Sequence, residues 1–292
     1  MNTRDLEYIV AVAELKNFSK AADQCYVSQP ALSNQIRKLE DFLGVKIFER
    51  TNKKVLVTQT GELVVEQARK ILQEVSHLKE IVRVCEDPLS GTFKLGAFPT
   101  LAPYFWPFFV PLVRDKIPNI DLILVEEKTA VLIDTLKRGQ LDAALIALPV
   151  DDAELEAVPL FQDVFYLAAS KEHPLAKKAK IDQKDLKDQK LLLLEEGHCL
   201  RDQALDICYM SGAHEQDEFK ATSLETLRQM IKFGPSVTLM PKIAIQQEDP
   251  DLVYIPFKDP IPQRTIALVY RKATARNQVL DLFSSLISQR IN

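Results

Sequence analysis

Between Val64 and Cys85 the apolar residues Val64, Ala68, Ile71, Val75, Leu78, Val82 and Cys85 follow one another in steps of 4, 3, 4, 3, 4 and 3, with no Gly or Pro among them. Such steps place all seven on one stripe of a helix, and an unbroken seven-residue period is the pattern of helices that pair lengthwise. The helix runs from Thr60 to Glu86 and, at about 1.5 Å per residue, measures about 40 Å. A rod of this kind divides the chain into a head before it and a body after it. A second copy of the same helix is the simplest partner for the stripe, and burial against the chain's own core is the alternative. Cys85, on the stripe, reads as core filler. Pro88-Leu89-Ser90-Gly91 ends the helix and marks a boundary.

The head reads as three short helices and a hairpin. Residues 5–15 put Leu6, Ile9, Val10 and Ala13 on one face, and Ser19 is the expected cap of a short second helix. Ser28 caps a third helix with Pro30 in its first turn, and Gly44 ends it. Leu32, Ile36, Leu39 and Leu43 form its apolar stripe, while Gln29, Ser33 and Arg37 share another face with Asn34 beside them. A helix pair joined by a tight turn, the second helix polar on one face, suits entry into a DNA major groove. A helical bundle with a solvated face is the plain alternative. The segments 45–50 and 55–58 flank Thr51-Asn52-Lys53-Lys54 as a hairpin with a basic tip, where Arg50, Lys53 and Lys54 are placed for phosphates.

Residues 1–60 hold nine Lys/Arg against seven Asp/Glu, a net +2, which leaves −6 of the overall −4 to the remainder. A mildly basic head on an acidic body permits nucleic-acid binding. No apolar run approaches the 18 residues of a membrane span, and the first residues lack a secretory signal, so a cytoplasmic, thiol-reducing setting is expected. Beyond Gly91, strand candidates at 92–97, 121–125, 142–148, 164–169, 190–194, 236–240 and 264–270 alternate with helix candidates at 103–116, 129–138, 199–210, 223–233 and 276–291. That alternation predicts an α/β body with helices on both sheet faces.

Within that body, Cys199 and Cys208 stand nine residues apart in a helical pattern. A helix holds their Cα atoms about 13–14 Å apart, whereas a disulfide requires roughly 4.4–6.8 Å. If they join, about ten residues refold, which describes a redox switch better than a staple. Cys199 follows Gly197-His198 at a helix start, where the dipole and free N–H groups favour a thiolate, with His198 or Arg201 as sources of positive charge. The ordinary fate of a free cysteine, a small buried hydrophobe, is the alternative for both thiols. Cys25 reads as head core, and His77, His173 and His214 match no metal spacing with the cysteines.

The head contains Ala21-Ala22, Ser28-Gln29-Pro30-Ala31-Leu32-Ser33, Gln35-Ile36, Leu39-Glu40, Leu43-Gly44, Phe48-Glu49-Arg50 and Thr58-Gln59-Thr60-Gly61. In these residues the chain resembles the LysR-type transcriptional regulators. Gly197 to Ala204, Cys208, and Ala221 to Arg228 resemble its peroxide-sensing members. The resemblance covers the whole chain. It implies an all-α winged helix-turn-helix (residues 1–60), a linker and dimerisation helix (61–88) and a two-lobed, periplasmic-binding-protein-like α/β regulatory domain (89–292). Lobe I takes about 89–162 and 265–292, lobe II about 163–264. It further implies a redox-sensitive activator or repressor of the oxidative-stress response, not an enzyme, that binds double-stranded DNA as a homotetramer and works with RNA polymerase. Cys199 is then the peroxidatic cysteine, oxidised by hydrogen peroxide to a sulfenic acid, and Cys208 the resolving one, with a glutaredoxin or thioredoxin as the resetting reductant. Thr100, Thr129, His198 and Arg264 form the implied peroxide pocket, with no cofactor and no metal. On the DNA side the implied contacts are Gln29, Ser33, Asn34, Arg37, Arg50, Lys53 and Lys54, with Pro30 setting the helix start. The chain departs from those members at Phe233-Gly234-Pro235-Ser236, where Ser236 replaces a usual glycine. A regulator answering a small organic effector between the lobes is the alternative, and a thiol peroxidase with a DNA head is disfavoured because a disulfide that refolds a helix resets slowly.

Overall fold

The protein is described here by a computed structural model covering residues 1–50, 55–211, 214–245 and 249–291. It folds as two compact units, Met1–Val82 and Arg83–Asn292.

In the head, α1 (Thr3–Leu15) starts in a capping box between Asn2 and Asp5. The buried Asp5 also accepts from Gln35 Nε2 at 2.8 Å, which ties α1 to the third helix. Helix α2 (Phe18–Gln24) is capped by Asn17, whose Oδ1 accepts from the N–H groups of Ser19 and Lys20. Ser19 therefore sits inside the first turn and is not the cap; the asparagine two residues earlier reaches the free N–H groups first. Helix α3 (Gln29–Leu43) begins under Ser28 and ends at Gly44, whose φ of +72° is a left-handed turn that glycine adopts without strain. Leu32, Ile36 and Leu39 bury against Ile9, Val12 and Ala21. Strands β1 (Phe48–Arg50) and β2 (Val55–Val57) form an antiparallel wing. The tip with Lys53 and Lys54, and the Arg50 side chain, lie outside the described residues.

Glu40, 4% exposed at the end of α3, accepts from the buried N–H groups of Ile47 and Phe48 at 2.8 and 3.1 Å and anchors the wing. Helix α4 (Gln59–Glu86) splits the heptad stripe between two surroundings. Ala68 is buried and Val64 half-buried against the head core, while Ile71, Leu78 and Val82 stay exposed. The side chains of His77 and Cys85 lie outside the described residues.

The body contains β3 (Gly91–Ala97), α5 (Ala102–Lys116), β4 (Ile120–Glu126), α6 (Thr129–Lys137), β5 (Ala143–Ala147) and β6 (Leu155–Ser170). These are followed by β7 (Lys190–Leu194), α7 (Cys199–Ser211), β8 (His214–Ala221), α8 (Leu224–Ile231), β9 (Thr238–Pro241), β10 (Leu252–Pro256), β11 (Gln263–Arg271) and α9 (Asn277–Ile291). A mixed sheet runs in the order β10-β6-β11-β5-β3-β4, with β9 also on β6. Residues 155–164 of β6 pair with β11, and residues 165–170 pair with β9 and β10. One strand thus serves two cores. The first gathers Phe93, Phe105, Phe109, Ile146 and Phe283; the second gathers Phe165, Leu193, Leu227 and Phe257. Strand β7 lies parallel to β8 in a separate pair.

The sequence does not announce β8, because His214-Glu215-Gln216-Asp217-Glu218-Phe219 has no apolar run, nor the first half of β6, which Pro159 and charged residues interrupt. No described helix is long and apolar enough to cross a membrane. Glu40→Ala strips the acceptor from two buried N–H groups and should cost the head on the order of 3 kcal/mol. Urea unfolding of the full chain checks this as a lower midpoint for the head, and an unchanged midpoint would mean that packing alone holds the wing.

Candidate functional site

Three strands, the parallel neighbours β3 and β4 and the separate β7, end in turns that launch helices, and helix N-termini of this kind line crevices in α/β folds. Thr100 sits in the turn between β3 and α5, Thr129 is the first residue of α6 after β4, and Cys199 is the first residue of α7 after β7. Opposite them stands Arg264, near the start of β11.

Arg264 is 2% exposed, and its register partner across the β11–β6 ladder is Asp163. Nε and Nη2 donate to Asp163 Oδ2 at 3.0 and 2.8 Å. Nη1 donates to Thr100 Oγ1 at 2.8 Å, and Nη2 also reaches the Thr100 carbonyl at 3.2 Å. The guanidinium carbon lies 5.0 Å from the Phe98 ring centroid and 5.8 Å from that of Phe165. Asp163 Oδ1 in turn accepts from Ile243 N at 3.2 Å. Thr100 and Phe98 precede α5, whereas Phe165 belongs to the second core, so the cluster joins both halves of the body.

Cys199 is a free, half-buried thiol whose side chain leans on the first core although its helix belongs with the second. Burial pushes its pKa up; the Arg264 charge, the Thr129 hydroxyl and the Leu200 N–H pull it down, and Asp202 adds a small upward push. Burial wins. The helix start favours the thiolate as expected, but desolvation of the charged sulfur acts more strongly in the opposite direction. The expected helpers are corrected. Burial, and then the Lys128 charge, hold His198 below the usual histidine range, so it is neutral near pH 7. Arg201 is buried and donates to the Leu194 carbonyl at 3.0 Å. Arg264 supplies the positive charge.

Beside Cys199, two of the buried polar atoms that lack a hydrogen-bond partner of full geometry among the described residues are Thr129 Oγ1, which faces the thiol closely enough to draw its pKa down, and His198 Nε2. His198 Nε2 stands 3.8 Å from Glu195 Oε1. Thr100 Oγ1 accepts from Arg264, which leaves its own hydrogen to donate. Unmet buried polar groups of this kind call for a small polar guest. Gly197 has φ +88°, and a Cβ there would meet Lys128 Cδ at 3.2 Å. Lys128 Nζ binds Glu195 Oε1 at 2.7 Å and the Glu196 carbonyl at 3.0 Å, closing the segment ahead of α7 onto the residue before Thr129.

Sequence reasoning missed Asp163 and Lys128. Neither carries a motif, and only the strand register and the β4–α6 turn bring them in. Cys208 is the tenth residue of α7, its Cα about 13–14 Å from that of Cys199 by helical rise. The side chains of Cys208 and His214 lie outside the described residues. His173 is buried, accepts from Leu175 N, and bonds to Gln189 and the Pro235 backbone, so it braces the turn at Ser236. Cys25 is half-buried against the head core. Among the described residues no cluster of three or more His, Cys, Asp or Glu is set to hold a metal.

On the head, Gln29, Pro30, Asn34 and Arg37 are exposed along α3. Ser33 is a correction: it is 9% exposed and engaged within the protein, because it turns toward the side that carries Leu32 and Ile36.

Residues 3–62 match the family described as "Bacterial regulatory helix-turn-helix protein, lysR family", and residues 86–291 match "LysR substrate binding domain". The chain is 45% identical over 294 residues to the hydrogen peroxide-inducible genes activator of Haemophilus influenzae, covering 100% of this chain and 97% of that one. Its fold is similar to that of a full-length OxyR cysteine-to-aspartate mutant from Pseudomonas aeruginosa (TM-score 0.79, 38% identity, 98% and 94% covered). It is also similar to a hydrogen-peroxide-bound OxyR cysteine-to-serine mutant from Corynebacterium glutamicum (TM-score 0.68, 31% identity, 99% and 92% covered).

Because the Cys199 thiol is held up, its alkylation by iodoacetamide should keep rising through the pH range where an ordinary cysteine, with a pKa of about 8.5, levels off. Thr129→Val removes a donor to the sulfur, so the profile should move to still higher pH with a several-fold slower rate at pH 7. Mass-spectrometric alkylation kinetics on the Cys199 peptide check both, and a profile unmoved in the variant would remove Thr129 from the thiol's surroundings.

Proposed function

The chain belongs to the LysR family of bacterial helix-turn-helix regulators, and we propose that it is a peroxide-responsive transcriptional regulator whose sensing thiol is Cys199. The observation that carries this reading is the half-buried cysteine at the start of α7, set among an arginine and hydroxyls with hydrogen-bonding capacity to spare. A peroxide molecule is small, neutral, and both donor and acceptor, so it suits Thr100 and Thr129 without the cost of bringing in a charge. The Cys199 sulfur attacks one peroxide oxygen; the S–O bond forms as the O–O bond breaks, and the thiol proton leaves with the other oxygen as water. The sulfur becomes a sulfenic acid. Arg264 and the threonine hydroxyls stabilise the negative charge that develops on the departing oxygen.

Cys208 then attacks the sulfenic sulfur, forming the S–S bond and releasing a second water. Helical rise sets the two Cα atoms more than twice the distance a disulfide tolerates, so α7 must unwind for this step. The structural change passes to DNA-reading heads, and a thiol reductant such as a glutaredoxin or thioredoxin resets the switch. The exposed part of the α4 stripe, with Leu78 and Val82, supports pairing with another copy within a homotetramer. Residues 1–60 serve as the DNA-binding domain, 61–88 as the linker, and 89–292 as the regulatory domain with lobes at about 89–162 plus 265–292 and about 163–264. Gln29, Asn34 and Arg37 contact DNA from α3, and Arg50, Lys53 and Lys54 contact phosphates from the wing. Signalling through RNA polymerase in the cytoplasm completes the reading.

Footprinting on an operator fragment tests it. Peroxide should alter the footprint of the wild type and leave that of Cys199→Ser in its reduced form. A Cys199→Ser variant that responds to peroxide normally would sink the proposal, and a response only to an organic effector would favour that alternative. Arg37→Ala should weaken binding by about 1–3 kcal/mol if the contact is to a base edge, and mainly lower the salt dependence if it is to phosphate.

A further inference from the structure

A guanidinium has five N–H groups, and four of those of Arg264 are committed. Nε and one Nη2 hydrogen go to Asp163 Oδ2, the other Nη2 hydrogen goes to the Thr100 carbonyl, and one Nη1 hydrogen goes to Thr100 Oγ1. The fifth, on Nη1, finds no partner among the described residues. Phe98 and Phe165 close over the group, and the residue is 2% exposed, so it has no room to turn. Asp163 is as tightly determined: 2% exposed, opposite Arg264 in the strand register, one oxygen taken by the arginine and the other by Ile243 N.

We propose that Asp163 is a positioning residue for the chemistry of Cys199, holding Arg264 so that a single Nη1 N–H remains for the reacting oxygens, and partly offsetting the arginine's charge beside the sulfur. The proposal rests on the reading of Cys199 as the sensing thiol. A full charge beside a buried sulfur favours the thiolate, but a carboxylate 2.8 Å from that charge makes a pair whose field falls off faster with distance. The other charged groups around the site are Asp202 on α7, Lys128 ahead of α6 and Glu195 ahead of α7, with neutral His198 between them. Lys128 and Glu195 neutralise one another at 2.7 Å, which leaves the Arg264–Asp163 pair, with the smaller contribution of Asp202, as the setting of the thiol. A protonated thiol is a poor target for bystander electrophiles. A donor reserved for the departing oxygen restores speed for peroxide alone.

The test uses the full-length reduced protein and follows the Cys199 peptide by mass spectrometry, with iodoacetamide reporting thiolate and peroxide reporting the assisted reaction. Asp163→Asn should move the alkylation midpoint to lower pH and raise the iodoacetamide rate at pH 7 about tenfold, the effect of one pKa unit. Its peroxide rate should fall instead of rising in step. Asp163→Glu keeps the charge but displaces it by one methylene, so the alkylation midpoint should stay while the peroxide rate drops. Rates that rise together in Asp163→Asn, or that change in neither variant, would overturn the proposal. If neither variant folds, the wild type still tests the charge offset: an alkylation midpoint at or above that of an ordinary cysteine is expected, and any midpoint below it, the sign of an unopposed arginine charge, overturns the offset. Wild-type Cys199 inert to peroxide would instead refute the sensing reading, while the alkylation profiles still judge Asp163.

Discussion

The ion pair between Arg264 and Asp163 holds the regulatory body together at the point where its two cores meet. Both residues are almost fully buried and stand opposite one another on the two long strands β11 and β6. A buried pair of this kind gains little over an apolar replacement, whereas losing one partner typically costs about 3–5 kcal/mol. Its retention here has a reason in the surroundings. The same guanidinium holds Thr100 and is sandwiched by Phe98 and Phe165. The turn before α5, the crossing strand and the Cys199 pocket therefore share one fixed reference.

Around that reference the thiol is balanced between opposing effects. Burial raises its pKa, while Arg264, Thr129 and the first N–H of α7 lower it. The helix that places Cys199 also keeps Cys208 away. A bond between the two cysteines would therefore require unwinding of α7. Leu200, Ala204 and Ile207 form the buried face that resists this step, at roughly 1.5–3 kcal/mol for each large side chain.

Much of this was legible in the sequence because it rests on period and punctuation. Ser28, Pro30 and Gly44 bound α3 as their chemistry requires, and the helix carrying both cysteines begins at Cys199. What the sequence hid depends on long-range register. Asp163 becomes meaningful only when β6 lies against β11, 101 positions away, and Lys128 only when its turn meets the segment ahead of α7. Ser33 and Ser19 were misplaced because neighbouring residues, rather than their own preferences, set their surroundings. The net direction of the Cys199 pKa is hidden for a similar reason: dipole and N–H groups are local, while desolvation is imposed by the surrounding core.

The central claim is that one thiol senses and a distant one answers, across a helix that must open. Peptide mapping of the reduced protein after sub-stoichiometric hydrogen peroxide tests it most directly. The account predicts an intramolecular Cys199–Cys208 disulfide formed ahead of any other modification. Finding both thiols free, or finding Cys199 joined to Cys25 or Cys85 instead, would contradict it.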